Sequence, residues 1–381
     1  MRYRPQHLAR RVGGRAKPLV AMATATLITT IAVLGHSVAS ADGPGAGSVV
    51  AFGGAGVLGS APGEAVSGMA RTPSGEGYWL VTTGGAVHAF GDAVNHGSLA
   101  GRRLNQAIVD IASVPDGSGY WLVAADGGIF AFGSAGWFGS TGAAPLNAPI
   151  VGMTSSPTGE GYLLAATDGG IFAFGDAGFL GSAGAVRLNQ PIVGLAASPS
   201  GTGYWLVARD GGVFAFGDAA FHGSAGGSRL NEPIVGMAST PSGLGYWLVA
   251  RDGGVFTYGD APFHGSLAAQ GGAPVVDVVP TPEGDGQWIA TGGKFLGNFE
   301  VTCYALRGIT ASGQRVGSHV VAVDPRVIPL GTEIYVGGEG SRVALDTGGN
   351  IKGNRLDIWR PSSAACREFG RKVMPVFSPT A

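Results

Sequence analysis

A repeat of fixed period runs through most of the chain. Tyr78, Tyr120, Tyr162, Tyr204 and Tyr246 follow one another at intervals of 42 residues. Phe90, Phe132, Phe174, Phe216 and Tyr258 keep the same step, as do the Asp-Gly-Gly triplets beginning at Asp126, Asp168, Asp210 and Asp252. A period of about 40–45 residues with several short strands per unit is the signature of a β-propeller. One unit reads strand by strand. Pro191 to Ala197 is a short apolar strand, Ser198 to Gly203 a Pro/Gly turn, and Tyr204 to Ala208 a strongly β-prone second strand. Asp210-Gly211-Gly212 closes a hairpin, because Asp and Gly tolerate the positive φ of a tight turn. Val213 to Phe216 is a third strand and Phe221 to Ser224 a short outer fourth. The 70 glycines of this 381-residue chain therefore mark repeated turns and not a low-complexity coil.

Full units begin near Ala65, Ala107, Pro149, Pro191 and Pro233. Before them, Gly47 to Ser60 matches only the third and fourth strands; after them, Pro274 to Gly293 matches only the first and second. The two halves sum to one unit. This predicts six blades, five whole and one composite, with no free edge after closure. His96, His222 and His264 share a repeat position with Phe138 and Leu180, which reads as packing and not as metal ligation. Asp92, Asp176, Asp218 and Asp260 give way to Ser134 and Gly54 in other units, which suits turn formers better than calcium ligands. The Tyr-Trp pairs read as strand residues of the core between blades, although a tryptophan face could also bind sugar. The units resemble the GYWLVA…DGGIFAFGDA repeats of secreted actinobacterial proteins, a resemblance that supports the unit and implies no chemistry.

The first 41 residues stand apart. Arg2, Arg4, Arg10, Arg11, Arg15 and Lys17 precede an uncharged apolar stretch from Leu19 to Leu34, and Ala39-Ser40-Ala41 has the form of a signal-peptidase site. A cleaved leader over 1–41 is expected, and with it a secreted, extracellular or wall-associated protein. The alternative is an uncleaved anchor, for which the apolar stretch falls short of the ~20 residues a span needs. Charge divides the remainder. Residues 42–293 carry 7 basic and 18 acidic groups, whereas residues 294–381 carry 11 basic and 7 acidic. The change of sign supports a repeat domain over 42–293 and a second domain over 299–377, joined by a linker at 294–298. A basic domain suits an anionic wall polymer, although so small a surplus also fits an ordinary surface. With no basic run beyond the leader, nothing points to nucleic acid.

The C-terminal segment reads as short strands at Phe299–Ala305, Val320–Val323, Glu333–Val336, Arg342–Asp346, Leu356–Trp359 and Val373–Phe377. A helix is expected near Ser362–Phe369 with Ser362 as N-cap. Six short strands in so few residues suggest a small closed barrel, making the fold class all-β. Cys303 and Cys366 are the chain's two cysteines, and in an exported protein an even pair favours a disulfide. Two cysteines without a histidine pair at ligand spacing build no zinc site. No metal and no cofactor are expected.

Three stretches in this segment are unusual: Cys303–Gln314 (CYALRGITASGQ), Val323–Thr332 (VDPRVIPLGT) and Leu345–Trp359 (LDTGGNIKGNRLDIW). Together they resemble the 3D domain, named for three aspartates and related to the catalytic barrel of membrane-bound lytic transglycosylase A. The resemblance implies a double-psi β-barrel that cleaves the glycan strand of peptidoglycan. It places the family aspartates on Asp324, Asp346 and Asp357, with the principal acid/base on Asp357. Thr347, Gly348, Gly349, Lys352 and Tyr304 are the expected substrate-binding residues.

The residues support that chemistry on their own terms. Breaking a glycosidic bond needs a proton on the leaving oxygen and stabilisation of an oxocarbenium-like state. A lytic transglycosylase can use one group for both proton transfers, because the sugar's own C6 hydroxyl attacks. A like-charged neighbour, Asp346, would raise the pKa of Asp357 and keep it protonated. Asp324 would position. The glycines from Gly348 to Gly353 would let the backbone approach the sugar; they are not a P-loop, since Asn354 stands where lysine is required. Taken singly, Asp324 before Pro325 is also a common turn, Asp346-Thr347-Gly348 can close a hairpin, and Asp357 falls on the polar face of a strand. Two other functions compete: a non-catalytic wall-binding or wall-loosening protein, and an adhesion protein in which the propeller binds a wall polysaccharide or a protein. The expected partner is the peptidoglycan glycan strand, and the expected state a monomer.

Overall fold

The computed structural model describes residues 44–268 and 270–378; the leader expected over 1–41 lies outside the described residues. Six three-stranded antiparallel sheets occupy Val49 to Thr291. Five are made of consecutive strands, as in Ile192–Ala197, Gly203–Ala208 and Val213–Gly217. Register repeats with sequence: Tyr204 pairs with Phe216 and Ala197, and Tyr120 with Phe132 and Ser113. The sixth sheet joins the two ends of the region. Val49–Gly53 pairs with Gly286–Thr291, which pairs in turn with Val275–Pro280. Every second strand is buried along its whole length, which explains its unbroken apolar run. The first strands of successive sheets touch one another in order, and Val275–Pro280 touches Val66–Arg71. The contacts therefore form a closed ring, as in a propeller-like repeat.

The expected fourth strand is not formed among the described residues, and side chains of the neighbouring unit explain why. The Tyr120 hydroxyl donates to the Gly97 carbonyl (2.5 Å) and accepts from the His96 N–H (3.1 Å). Tyr162, Tyr204 and Tyr246 serve Phe138–Gly139, Leu180–Gly181 and His222–Gly223 in the same way. One phenol thus satisfies the donor and the acceptor that a ladder would have used. Gly97 has φ of 131°, and a Cβ there would lie 2.7 Å from the Phe132 ring, so the segment bends into the next unit.

Packing uses the other repeated residues too. Trp79, Trp121, Trp205, Trp247 and Trp288 are buried, and each indole N–H donates to a backbone carbonyl, such as that of Val94 for Trp79 and Gly56 for Trp288. Their faces are therefore closed to sugar, which corrects the alternative held open for the Tyr-Trp pairs. The rings of His96 and His222 lie 5.6 Å from those of Tyr120 and Tyr246, so this position packs. Asp92 accepts from Thr72 and Ser74, and Asp218 from Ser198, Ser200 and Thr202, which ties each turn to the end of the third strand.

A closed barrel follows. Its strands are β1 (Lys294–Tyr304), β2 (Val320–Ala322), β3 (Glu333–Val336), β4 (Gly340–Asp346), β5 (Arg355–Trp359) and β6 (Lys372–Ser378), in the order β1-β5-β2-β4-β3-β6. Residues 294–298 are not a linker. Lys294 and Phe295 already pair with Ser378 and Phe377, because β6 extends far enough to give them a ladder. Phe299, Val301, Val321, Val323, Ile334, Val336, Leu356 and Ile358 form the core. Helix α1 (Ser363–Phe369) starts where the Ser362 hydroxyl accepts from the Ala365 N–H (3.1 Å), an N-cap, and ends at Gly370 with φ of 68°. The Cys303–Cys366 disulfide ties β1 to α1 across 63 residues, a loop whose closure is worth about 4 kcal/mol of unfolded-state entropy.

The barrel rests on the repeat region through polar contacts. Glu333 accepts from Arg209 (3.2 Å) and from Arg251. Arg251 also donates to the Ser341 hydroxyl (2.9 Å), and Glu232 accepts from the Ser341 N–H (2.9 Å) and hydroxyl (2.7 Å).

Candidate functional site

Asp346 ends β4 and Asp357 lies at the middle of β5, with β2 between them. Ala322 of β2 is the register partner of both: parallel to Asp346 and antiparallel to Asp357. Register partners on adjacent strands share a face, so the two carboxylates come to one side of the barrel. Leu356 and Ile358 point into the core, which places Asp357 on the opposite face, as strand alternation requires. Thr302 of β1 lies opposite Asp357, and its hydroxyl donates to Asp357 Oδ1 (2.9 Å). Tyr304 is two residues further along the same face.

Burial raises the pKa of Asp357, and the Thr302 hydrogen bond opposes part of that rise. The charge of Asp346 was the expected cause; the cause found is desolvation, which favours the protonated form. The two carboxylate charges act instead on Tyr304. Its phenol is pushed up by burial first, then by Asp346 and Asp357, so it stays a neutral donor. Among the described residues the buried hydroxyl has no hydrogen bond of good geometry, although the Asp346 carboxylate is near enough to act on it both by charge and by hydrogen bonding. Asp346 Oδ1 accepts from the N–H groups of Ala311 (3.0 Å) and Thr347 (2.9 Å), which fixes its direction.

Asp324 is not part of this group. It is buried, and its carboxylate accepts from Arg326 Nε (3.0 Å), Arg326 Nη2 (2.7 Å) and the Gly353 N–H (2.9 Å). These bonds, that of Arg326 foremost, hold its pKa well below the usual carboxylate range. Asp324 thereby pins the glycine-rich loop to the turn after β2. The φ of 61° at Gly353 favours glycine. At Gly348 the reason is space, since a Cβ there would lie 2.6 Å from the Ile351 side chain. Thr347, Gly349 and Lys352 are exposed on this loop, and Gly349 has open space above it.

Thr302 and Arg326 were not anticipated. The signal for Thr302 was the alternation of Thr302 and Tyr304 with Val301 and Cys303. The signal for Arg326 was its spacing of two from Asp324, which suits a side-chain pair closing a turn.

Residues 319–377, which include all three aspartates, match the family model of the 3D domain. The chain carries a 3D domain at its C-terminus. Curated relatives come from Bacillus subtilis (strain 168). The chain is 44% identical over 75 residues to "Cell wall-binding protein YocH", covering 19% of this chain and 26% of that one. It is 37% identical over 82 residues to "Putative cell wall shaping protein YabE", covering 20% of each. It is 48% identical over 63 residues to "SPbeta prophage-derived uncharacterized protein YorM", covering 16% of this chain and 26% of that one. The chain thus spans at most 26% of the length of these relatives. Two of these relatives are named for binding or shaping the cell wall. Among the described residues, no helix is long and apolar enough to cross a membrane.

Proposed function

We propose that this is a secreted enzyme that cleaves the glycan strand of peptidoglycan as a lytic transglycosylase, with Asp357 as its acid/base. The observation that carries this reading is a carboxyl group biased toward its acid form by burial, held by Thr302 and sharing a face with a second carboxylate. In this reading the 3D domain is a double-psi β-barrel, and the repeat region a six-bladed propeller with five whole blades and one composite.

The Asp357 acid donates its proton to the glycosidic oxygen as the bond from C1 to that oxygen breaks. Asp346, oriented by Ala311 and Thr347, stabilises the positive charge that develops at the sugar ring. The C6 hydroxyl then attacks C1 and gives its proton to the Asp357 carboxylate. The product is a 1,6-anhydro sugar, and the acid is restored. Thr302 suits both halves of this cycle, since its hydrogen bond stabilises the carboxylate that must exist between them. Tyr304 offers a neutral hydroxyl to the substrate, and Thr347, Gly348, Gly349 and Lys352 present the loop along which the strand would lie. Asp324 positions that loop through Gly353.

Digestion of purified sacculi by the full chain, read by mass spectrometry, tests this. Anhydromuropeptides that disappear with Asp357→Asn are expected. Reducing-end products would make the enzyme a hydrolase. A second reading, a wall-binding protein without catalysis, draws on the names of the relatives. It predicts sedimentation with sacculi, no product, and no effect of Asp357→Asn.

A further inference from the structure

One repeat position holds Val57, Asn95, Trp137, Phe179, Phe221 and Phe263. Four consecutive units therefore carry an aromatic side chain there, and all four are held out in solvent: Trp137 65% exposed, Phe179 61%, Phe221 61% and Phe263 63%. Their backbone is fixed. The carbonyl just before Trp137 accepts from the buried Trp121 indole (2.6 Å), and the N–H just after it donates to the Tyr162 hydroxyl (3.1 Å). Phe221 is held the same way between Ala220 and His222, by Trp205 and Tyr246. Phe179 has the tyrosine anchor and Phe263 the tryptophan anchor. A fold that pins the main chain beside each large apolar ring, on both sides for Trp137 and Phe221, and leaves the ring outside displays that ring.

We infer that this rim is a multivalent binding track for a repeating polysaccharide with an uncharged sugar backbone, with Trp137, Phe179, Phe221 and Phe263 as its stacking faces. Pyranose rings offer a flat C–H face to an aromatic ring and hydroxyls to polar neighbours. Both are provided: Asp176, Asp218 and Asp260 stand three residues before Phe179, Phe221 and Phe263, each ringed by Ser or Thr hydroxyls. A protein partner needs one contiguous apolar patch, whereas these rings come one per unit among polar groups. A polyanion would meet a region with 18 acidic against 7 basic groups. The series is open-ended, stopping at Val57 and Asn95, which suits a linear polymer crossing successive units. Each contact is weak alone, and linkage along one polymer makes them act together. The inference rests on the wall-glycan reading only for its choice of polymer.

The test is sedimentation of the full chain with sacculi stripped of anionic polymers, with muropeptide release followed separately. Replacing all four aromatics by Ala should weaken binding by roughly tenfold or more, and single replacements by much less. Replacing the three phenylalanines by Tyr should preserve binding; replacing all four aromatics by Leu, which keeps apolarity but loses the flat face, should not. Binding insensitive to the Ala set, or retained in the Leu set, would overturn the inference. Since the side chains are exposed, unchanged thermal unfolding of each variant shows that the fold is intact. Muropeptide release absent while rim-dependent binding persists would remove the catalytic reading and leave this one standing.

Discussion

The Thr302 hydroxyl donates to Asp357 Oδ1 across the parallel pairing of β1 and β5, at 2.9 Å. It opposes the rise in pKa that burial gives Asp357. Thr302→Val should raise the Asp357 pKa further. The alkaline limb of sacculus digestion should then move up by as much as about one pH unit. A pH–rate profile checks this, and a limb that stays or moves down would remove Asp357 from the role of acid.

Asp324 makes the opposite prediction. Its folded pKa is depressed, so its contribution to stability is present above the ordinary carboxylate range and is lost as pH falls through the depressed value. Asp324→Asn should lower the melting temperature at neutral pH and flatten its decline below about pH 4. Limited proteolysis should find the loop from Thr347 to Asn354 opened. Residual digestion by this variant would fit a positioning residue; a complete loss in a variant that melts normally would give Asp324 a direct role in the reaction.

Asp110 and Asp277 occupy a first-strand position that is glycine in Gly68, Gly152, Gly194 and Gly236. Asp110 Oδ2 accepts from the Met153 N–H and Asp277 Oδ2 from the Met69 N–H, both at 2.9 Å. Burial raises both pKa values, that of Asp277 to about 7, and the charge of Asp277 adds to the rise at Asp110. A raised carboxyl stabilises the fold fully below its unfolded pKa and loses that contribution as pH rises through the folded one. The repeat region should therefore melt at a lower temperature at pH 8 than at about pH 5. Asp110→Asn, which keeps an acceptor for Met153, should reduce that difference. A melting temperature independent of pH in the wild-type protein would contradict this.

Glu333 holds two arginines of the repeat region at once. Glu333→Ala should cost about 1 kcal/mol of coupling between the two parts, less at high salt. Calorimetry should show the unfolding transitions of barrel and repeats drawing apart. Transitions unchanged in position would mean that Glu232 and Ser341 suffice.

Tyr120→Phe removes a single oxygen and leaves the His96 N–H and the Gly97 carbonyl without their partner. A loss of about 1–3 kcal/mol is expected from denaturant unfolding. A loss below a few tenths would show that water replaces the phenol. The same tyrosine marks a limit of sequence reading. The 42-residue period, the strand pairs and the two half-units were legible because each rests on local alternation and on Asp-Gly turns. The outer strand was misread because what prevents it is a hydroxyl 24 residues further along, on the middle strand of the next sheet. In the barrel, the outward face of Asp357 followed from Leu356 and Ile358. The cause of its raised pKa did not, since desolvation sums over packing that no spacing reveals. Trp137 also escaped notice: it neighbours Phe138, and residue type alone does not say which of two adjacent aromatics faces water.

Among the described residues Val49–Gly53 pairs only with Gly286–Thr291, and the Trp288 indole reaches the Gly56 carbonyl, 232 residues earlier. The strand synthesised first thus waits longest for a neighbour. Five sheets can complete themselves as the chain emerges, but the circle cannot shut until its final strands arrive. A chain cut short before Gly286 would keep an unpaired edge at its start, open to any other strand nearby. Closure is therefore late: the first strand of the repeat region keeps an unpaired edge until Gly286–Thr291 arrives.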